Sequence, residues 1–203
     1  MKLEKTWFYT FAQRVAWCFY TLIFRAKARG LENFPKDQNC ILYGNHISAW
    51  DPLTIAHFYR INEIHFMAKE SLFRVPVLRA IVKGLHAFPV NRGSSDMAAM
   101  RTAMQVLREG HVLGIFPEGT RQQGGPVTNI ETGVAVLALK SKVPLIPVLV
   151  GGKYTFFGRI RAVVGEAVPL DDLREKRTDA ETLDEVKRRI IDGLETLRPM
   201  LGF

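Results

Sequence analysis

The chain has 203 residues, of which 47% are hydrophobic and 24% charged, and a net charge of +8. That length and apolar content fit one globular domain and exclude a disordered tail or a fibrous repeat. The positive balance calls for anionic partners such as phosphate groups or anionic lipid, while Cys18 and Cys40 supply neither a disulfide framework nor a metal-ligand spacing.

Residues 1–29 stand apart. Lys2, Lys5, Arg14, Arg25, Lys27 and Arg29 face a single acid, Glu4. Between them runs an aromatic stretch holding Trp7, Phe8, Phe11, Trp17, Phe19, Tyr20 and Phe24. As a helix it has a narrow polar stripe of Thr10, Gln13, Arg14 and Thr21 on an otherwise apolar surface. A helix lying in a membrane interface explains both the aromatics and the flanking cations. A membrane span would place Arg14 near its centre at a cost of about 2.5–3.5 kcal/mol. A signal peptide is disfavoured because Arg14 interrupts the apolar run and Arg25 follows it. The remaining alternative is a helix packed on the domain's own core. The interface reading assigns Trp7, Phe8, Phe11, Trp17, Phe19, Tyr20 and Phe24 to membrane contact.

Gly30 to Pro35 predicts a turn, and Cys40 to Tyr43 a short buried strand. That strand ends in Asn45-His46-Ile47-Ser48-Ala49-Trp50-Asp51-Pro52, with a short helix to follow. Asp51 before Pro52 fits a helix N-cap, so the carboxylate has an ordinary reading. The loop can also fold back and bring Asp51 to His46. Those are the orienter and base of a catalytic triad, complete if the substrate supplies the hydroxyl.

Further strands are predicted over 63–68, 84–90 and 111–116. The second of these leads to Asn91-Arg92-Gly93, and Ser94 or Ser95 then caps a helix that Gly110 stops. Arg92, just before a helix N-terminus, suits a phosphate. The strand over 111–116 runs into Phe116-Pro117-Glu118-Gly119-Thr120-Arg121. Glu118 can bind hydroxyls, Gly119 permits close backbone approach, and Arg121 can bind a phosphate bidentately. If these strands are neighbours pointing the same way, their polar ends meet in one cleft. Gln122 to Glu131 reads as irregular. After a helix over 133–142, Val143 to Val150 is an apolar strand holding Pro144 and Pro147, which predicts an edge, a bulge or irregular pairing. A last strand covers 159–164. A helix over 178–200 turns Leu183, Val186, Ile190, Leu194 and Leu197 to one side, to pack on the sheet.

His57, His65, His86 and His111 lie inside predicted elements and read as structural. No metal site, dinucleotide fingerprint or P-loop is indicated.

Four blocks in order carry a resemblance: Asn45-His46-x4-Asp51, Gly84 through Phe88-Pro89-Val90-Asn91-Arg92, Phe116-Pro117-Glu118-Gly119-Thr120-Arg121, and Val143-Pro144-Leu145-Ile146-Pro147-Val148. Together they resemble the lysophosphatidate (1-acylglycerol-3-phosphate) acyltransferases, within the wider glycerolipid acyltransferases. The resemblance implies an α/β fold of the glycerol-3-phosphate acyltransferase type: a single mixed, mostly parallel sheet flanked by helices over 30–203, with the N-terminal amphipathic helix at the membrane interface over 1–29. It implies acyl transfer from a thioester of coenzyme A or acyl carrier protein, as co-substrate with no bound cofactor, to the hydroxyl of lysophosphatidate. His46 would be the base and Asp51 its orienter. Asn45, Arg92, Glu118, Gly119, Thr120, Arg121 and Pro147 would bind or shape the substrate. Membrane lipid is the expected partner, on the cytoplasmic face where the donors are; nucleic acid is not. The chain departs from many relatives over 127–133, which hold no Lys or Arg. Rival readings are a different acceptor, whether another lysophospholipid, glycerol-3-phosphate or an acylated amino acid, or a non-catalytic lipid-binding module.

Overall fold

Among residues 6–91, 96–122 and 124–202, which the computed structural model describes, seven strands form one sheet. Strand β1 is Lys27–Arg29, β2 Ile41–Gly44, β3 Ile64–Lys69, β4 Phe88–Val90, β5 Val112–Ile115, β6 Leu145–Gly152 and β7 Ile160–Val164. Their order is β1-β7-β6-β2-β5-β3-β4, and only the β6–β7 hairpin pairs antiparallel. Helices α1 Trp7–Leu22 and α2 Asp51–Phe58 contribute to one face. Helices α4 Met97–Arg108, α5 Thr132–Ser141 and α7 Ala180–Glu195 cover the other, with the short α6 Asp171–Arg174 beside them. Helix α3 is Pro76–Gly84.

The central strands are apolar on both sides because both sides are covered. On β2, Ile41 and Tyr43 face α4, α5 and α7, while Leu42 faces α1 and α2. In α7, Val186, Ile190 and Leu194, with Leu197 just beyond it, are buried against the sheet as the helical spacing predicts. Helix α4 starts at Asp96, whose carboxylate accepts from the N–H groups of Ala98 and Ala99. The expected cap at Ser94 or Ser95 falls outside the described residues.

Strand β6 corrects an expectation. Two prolines predicted an edge or a bulge, yet β6 lies between β2 and β7. Pro144 precedes the strand. Pro147 accepts from the Gly165 N–H through its carbonyl, so its nitrogen faces the same side, where the β7 ladder has already ended at Val164. The missing donor therefore breaks no pair with β2.

Helix α1 also differs from its sequence reading. Tyr20 and Phe24, expected at the membrane, are 1% and 4% exposed. Tyr20 donates its hydroxyl proton to the Trp50 carbonyl, and the Phe24 ring meets Tyr20, Trp50 and Tyr154 edge-on. Gln13, placed on the polar stripe, turns inward and donates to the carbonyls of Ala56 and Tyr59. Burying two such aromatics stabilises the docking of α1 by about 1.5–3 kcal/mol each. Strand β1, on the N-terminal side of the expected boundary at 29/30, is a strand of the sheet and pairs with β7.

The outer side of α1 stays apolar. Trp7, Phe8, Phe11, Val15, Trp17 and Leu22 are exposed; the side chain of Phe19 is not among those described. Helix α3 adds Val77, Leu78 and Ile81, also exposed. The Phe8 ring lies so close to Gly84 that a Cβ there would sit 2.5 Å from it, which joins the two surfaces. No described helix is long and apolar enough to cross a membrane.

Candidate active site

Strands β2 and β5 are parallel neighbours, so their C-terminal ends lie side by side. One end continues into Asn45 and His46, the other into Phe116 to Arg121. The loop after β2 folds back at once. Asp51 opens α2, and its carboxylate points at that loop instead of capping the helix. Its Oδ2 lies 3.0 Å from His46 Nδ1 and accepts from the N–H groups of Ile47 and Ser48, each at 2.7 Å. Its Oδ1 accepts from the Tyr154 hydroxyl at 2.8 Å. Asp51 is fully buried and His46 nearly so. An ionised carboxylate without water needs this many donors.

The network runs further than the sequence indicated. Tyr154 follows the end of β6, and its hydroxyl also sits 2.7 Å from Thr54 Oγ1 on α2. Thr54 donates within reach of Tyr20 Oη at 3.3 Å and of the Trp50 carbonyl at 3.1 Å. Burial and the negative charge of Asp51 push the Tyr154 phenol well above its ordinary range. Tyr154 therefore stays protonated and remains a donor to Asp51. Neither Tyr154 nor Thr54 stands in a recognisable motif. Tyrosine before a hairpin turn is common, and only the return of β7 against β6 holds it over α2.

The second loop grips the first. His46 donates its backbone N–H to Glu118 Oε2 at 2.9 Å, and its carbonyl accepts from the Gln122 N–H at 2.7 Å. The imidazole stacks on Phe116, with ring centres 4.3 Å apart and planes 22° from parallel. Burial raises the Glu118 carboxyl above the usual carboxylate range, opposed by the His46 N–H, by the His46 charge and by Arg198. Arg198, which the sequence reading left unremarked, is held by Glu195 and by the Gly125 carbonyl. Gly119 adopts φ +70°, and a Cβ there would lie 2.8 Å from Glu131 Oε1. The turn needs glycine on both counts. Thr120 and Arg121 are exposed beyond it.

The remaining sequence-derived candidates divide. Asn45 is buried, and its amide pairs with Val150: Nδ2 donates to the carbonyl at 2.8 Å and Oδ1 accepts the N–H at 2.7 Å. That engagement extends the β2–β6 ladder and turns the amide away from the cleft. Pro147 is a buried strand residue paired with Tyr43. Arg92 falls outside the described residues. Strand β4, which leads to it, is three positions from β2 in the sheet, about 14 Å at the usual spacing. Thus the His46 and Glu118 loops are adjacent, while β4 lies at the sheet's far edge.

What remains of His46 for chemistry is Nε2. With Nδ1 directed at a buried carboxylate, Nε2 is the nitrogen free in principle to accept a proton, and the carboxylate stabilises the imidazolium that results.

Comparison with known proteins gives the same direction. A family model described as Acyltransferase matches residues 25–151. The 1-acyl-sn-glycerol-3-phosphate acyltransferase of Borreliella burgdorferi is 36% identical over 181 residues, covering 83% of this chain and 71% of that protein. The protein of the same name from Bacillus subtilis is 30% identical, covering 81% of this chain and 85% of its own length. Among solved structures, the 1-acyl-sn-glycerophosphate (LPA) acyltransferase PlsC from Thermotoga maritima superimposes with a TM-score of 0.72 at 27% identity, over 94% of this chain and 79% of that one.

Proposed function

The chain belongs to the lysophosphatidate acyltransferases of the Acyltransferase family, and we propose that it transfers a fatty acyl group from an acyl thioester to the free hydroxyl of 1-acylglycerol-3-phosphate, making phosphatidate. The observation that carries the chemistry is the His46–Asp51 pair, buried and fixed by three further donors to the carboxylate.

His46 Nε2 takes the proton of the acceptor hydroxyl as its oxygen attacks the thioester carbonyl. The C–O bond forms, the tetrahedral intermediate collapses, and the C–S bond breaks. The thiolate of coenzyme A or acyl carrier protein leaves and takes up the proton that His46 carries. Asp51 holds the tautomer and stabilises the imidazolium. No serine or cysteine nucleophile is needed, because the acceptor brings its own hydroxyl. The loop holding Glu118, Gly119, Thr120 and Arg121 abuts His46, which supports its contact with the glycerol phosphate. Arg121 and Arg92 offer the charge that a phosphate monoester requires.

The acceptor is a lipid, so the enzyme meets it at a surface. The exposed apolar residues of α1 and α3 support a peripheral seat on a bilayer, with Trp7, Phe8, Phe11 and Trp17 among the acyl chains. The net charge of +8 adds attraction to anionic lipid. Cytoplasmic donors put this seat on the cytoplasmic face. Helix α1 then serves both as anchor and, through Tyr20 and with Phe24 just after it, as part of the catalytic domain's core.

The test is thiol release and mass spectrometry of lipid from purified protein on lysophosphatidate vesicles, with long-chain acyl-coenzyme A and acyl carrier protein supplied in turn. Phosphatidate from wild type and none from His46→Ala is the expected result. Thiol release only with glycerol-3-phosphate or another lysolipid would reassign the acceptor. Lipid binding without turnover on any acceptor would replace the enzyme reading with a binding module.

A further inference from the structure

Opposite the active site, at the N-terminal ends of β5, β3 and β4, four chemistry-bearing side chains meet. These strands are parallel neighbours. Glu63 and His65, two apart at the start of β3, share one side of the strand. His86 precedes β4 and His111 precedes β5. The His65 ring centre lies 5.0 Å from that of His86 and 4.4 Å from that of His111. His86 Nε2 is 3.0 Å from Glu63 Oε2. Donor atoms of Glu63, His65 and His86 all lie within 4.8 Å of one another.

Two observations need an explanation beyond packing. His65 Nε2 and His111 Nδ1 are buried with no hydrogen-bond partner among the described residues. Buried polar nitrogens are rarely left so, and an absent ion is one recognised reason. His86 adopts φ +57°, a left-handed backbone that a residue other than glycine seldom takes without cause. That conformation holds its imidazole against Glu63.

We propose that Glu63, His65 and His86 form a binding site for a divalent transition-metal ion of the zinc type, with His111 standing behind His65. Two imidazoles and a carboxylate are a donor set that suits this ion and leaves one position for water. At ordinary metal–ligand lengths, tetrahedral donors sit about 3.4 Å apart, so the present spread closes with small side-chain movements. The ligands come from two separate stretches of chain, 63–65 and 86, which is why no ligand spacing marks them in the sequence.

The site is structural by position. The Thr6 backbone N–H donates to Glu63 Oε1, Thr6 Oγ1 lies 3.3 Å from His86 Nε2, and the Tyr9 ring lies 6.0 Å from that of His86. A metal there fastens the start of α1 to β3 and β4, far from His46. The inference does not depend on the acyl-transfer reading.

The experiment titrates the full-length, metal-stripped chain with Zn²⁺ and, for spectroscopy, Co²⁺. One Zn²⁺ per chain at micromolar or tighter affinity is expected, with tetrahedral Co²⁺ absorption that Zn²⁺ displaces and a raised melting temperature. His65→Gln and His86→Asn, the latter tolerant of a left-handed backbone, should each weaken binding by about tenfold or more, whereas His57→Gln should not. Nitrogen-15 histidine spectra of the wild type keep the test independent of whether those variants fold. Zn²⁺ should shift the ring nitrogens of His65 and His86 and leave His57 unmoved. No stoichiometric uptake, binding unchanged in both variants, or ring shifts confined to other histidines would overturn the proposal.

Discussion

Asp51 Oδ2 lies 3.0 Å from His46 Nδ1 while it also accepts two backbone N–H groups of the loop between them. One oxygen therefore fixes both the imidazole and the loop that carries it. His46→Ala should lower kcat by roughly 10²–10⁴-fold, the range for a lost general base. Asp51→Asn keeps the loop's acceptor only with its amide oxygen at the Oδ2 position and its NH₂ toward the Tyr154 hydroxyl, and it loses the negative charge that stabilises the imidazolium. Its kcat should fall by a similar factor with little change in KM. Steady-state kinetics with saturating thioester check both.

Tyr154 gives a subtler prediction. Its hydroxyl donates to Asp51 Oδ1 and meets Thr54 Oγ1. Tyr154→Phe removes that donor from a fully buried carboxylate. The expected stability loss is about 1–3 kcal/mol, read as a lower urea midpoint at unchanged slope. Activity should fall less than in His46→Ala, because the His46–Asp51 contact is retained.

The outer side of α3 separates membrane seating from folding. Val77 is 69% exposed and Ile81 45% exposed. The double change Val77→Asp with Ile81→Asp should shift stability by no more than about 0.5 kcal/mol per site. Cosedimentation with anionic vesicles should drop several-fold. Turnover should fall on vesicle-borne acceptor and persist on acceptor dispersed in detergent. Equal loss in both formats would show that α3 serves the catalytic fold instead.

Stability should depend on pH through His57. Burial between Tyr20 and Phe58 pushes its imidazole from 6.5 down to about 4, aided by Arg60. The unfolded chain then binds the proton more readily than the native one. Stability is unaffected by this group above about pH 6.5, falls as pH drops from there to about 4, and levels off below. Urea midpoints across that range should show the slope, and His57→Phe should reduce it, leaving the part that the similarly lowered His65 contributes.

Several features were legible in the chain because they are local. Strand 41–44 announces itself by its unbroken apolar run, and the loop after it by Gly44, Asn45 and Pro52. The five-residue step from His46 to Asp51 is short enough to imply the fold-back. Phe116 to Arg121 could be read as a ligand loop from Glu118, Gly119 and Arg121 together, and the φ of +70° at Gly119 fits the close approach expected there. The apolar side of α7 followed from its spacing.

What the sequence determined by itself was therefore most of the elements, the His46–Asp51 proposal and the loop beside it, since each depends on neighbours within a few residues. Only the tertiary structure decided which apolar surfaces meet protein. Periodicity marks Tyr20, Phe24, Val77 and Ile81 alike as apolar, but burial of the first two and exposure of the last two depend on where α1 and α3 dock. Likewise Tyr154 reaches Asp51 across 103 residues, Pro147 escapes the edge because β7 ends beside it, and His65, His86 and His111 gather only because β5, β3 and β4 are laid side by side. Such contacts arise from chain reversal and strand order, which no window of sequence contains.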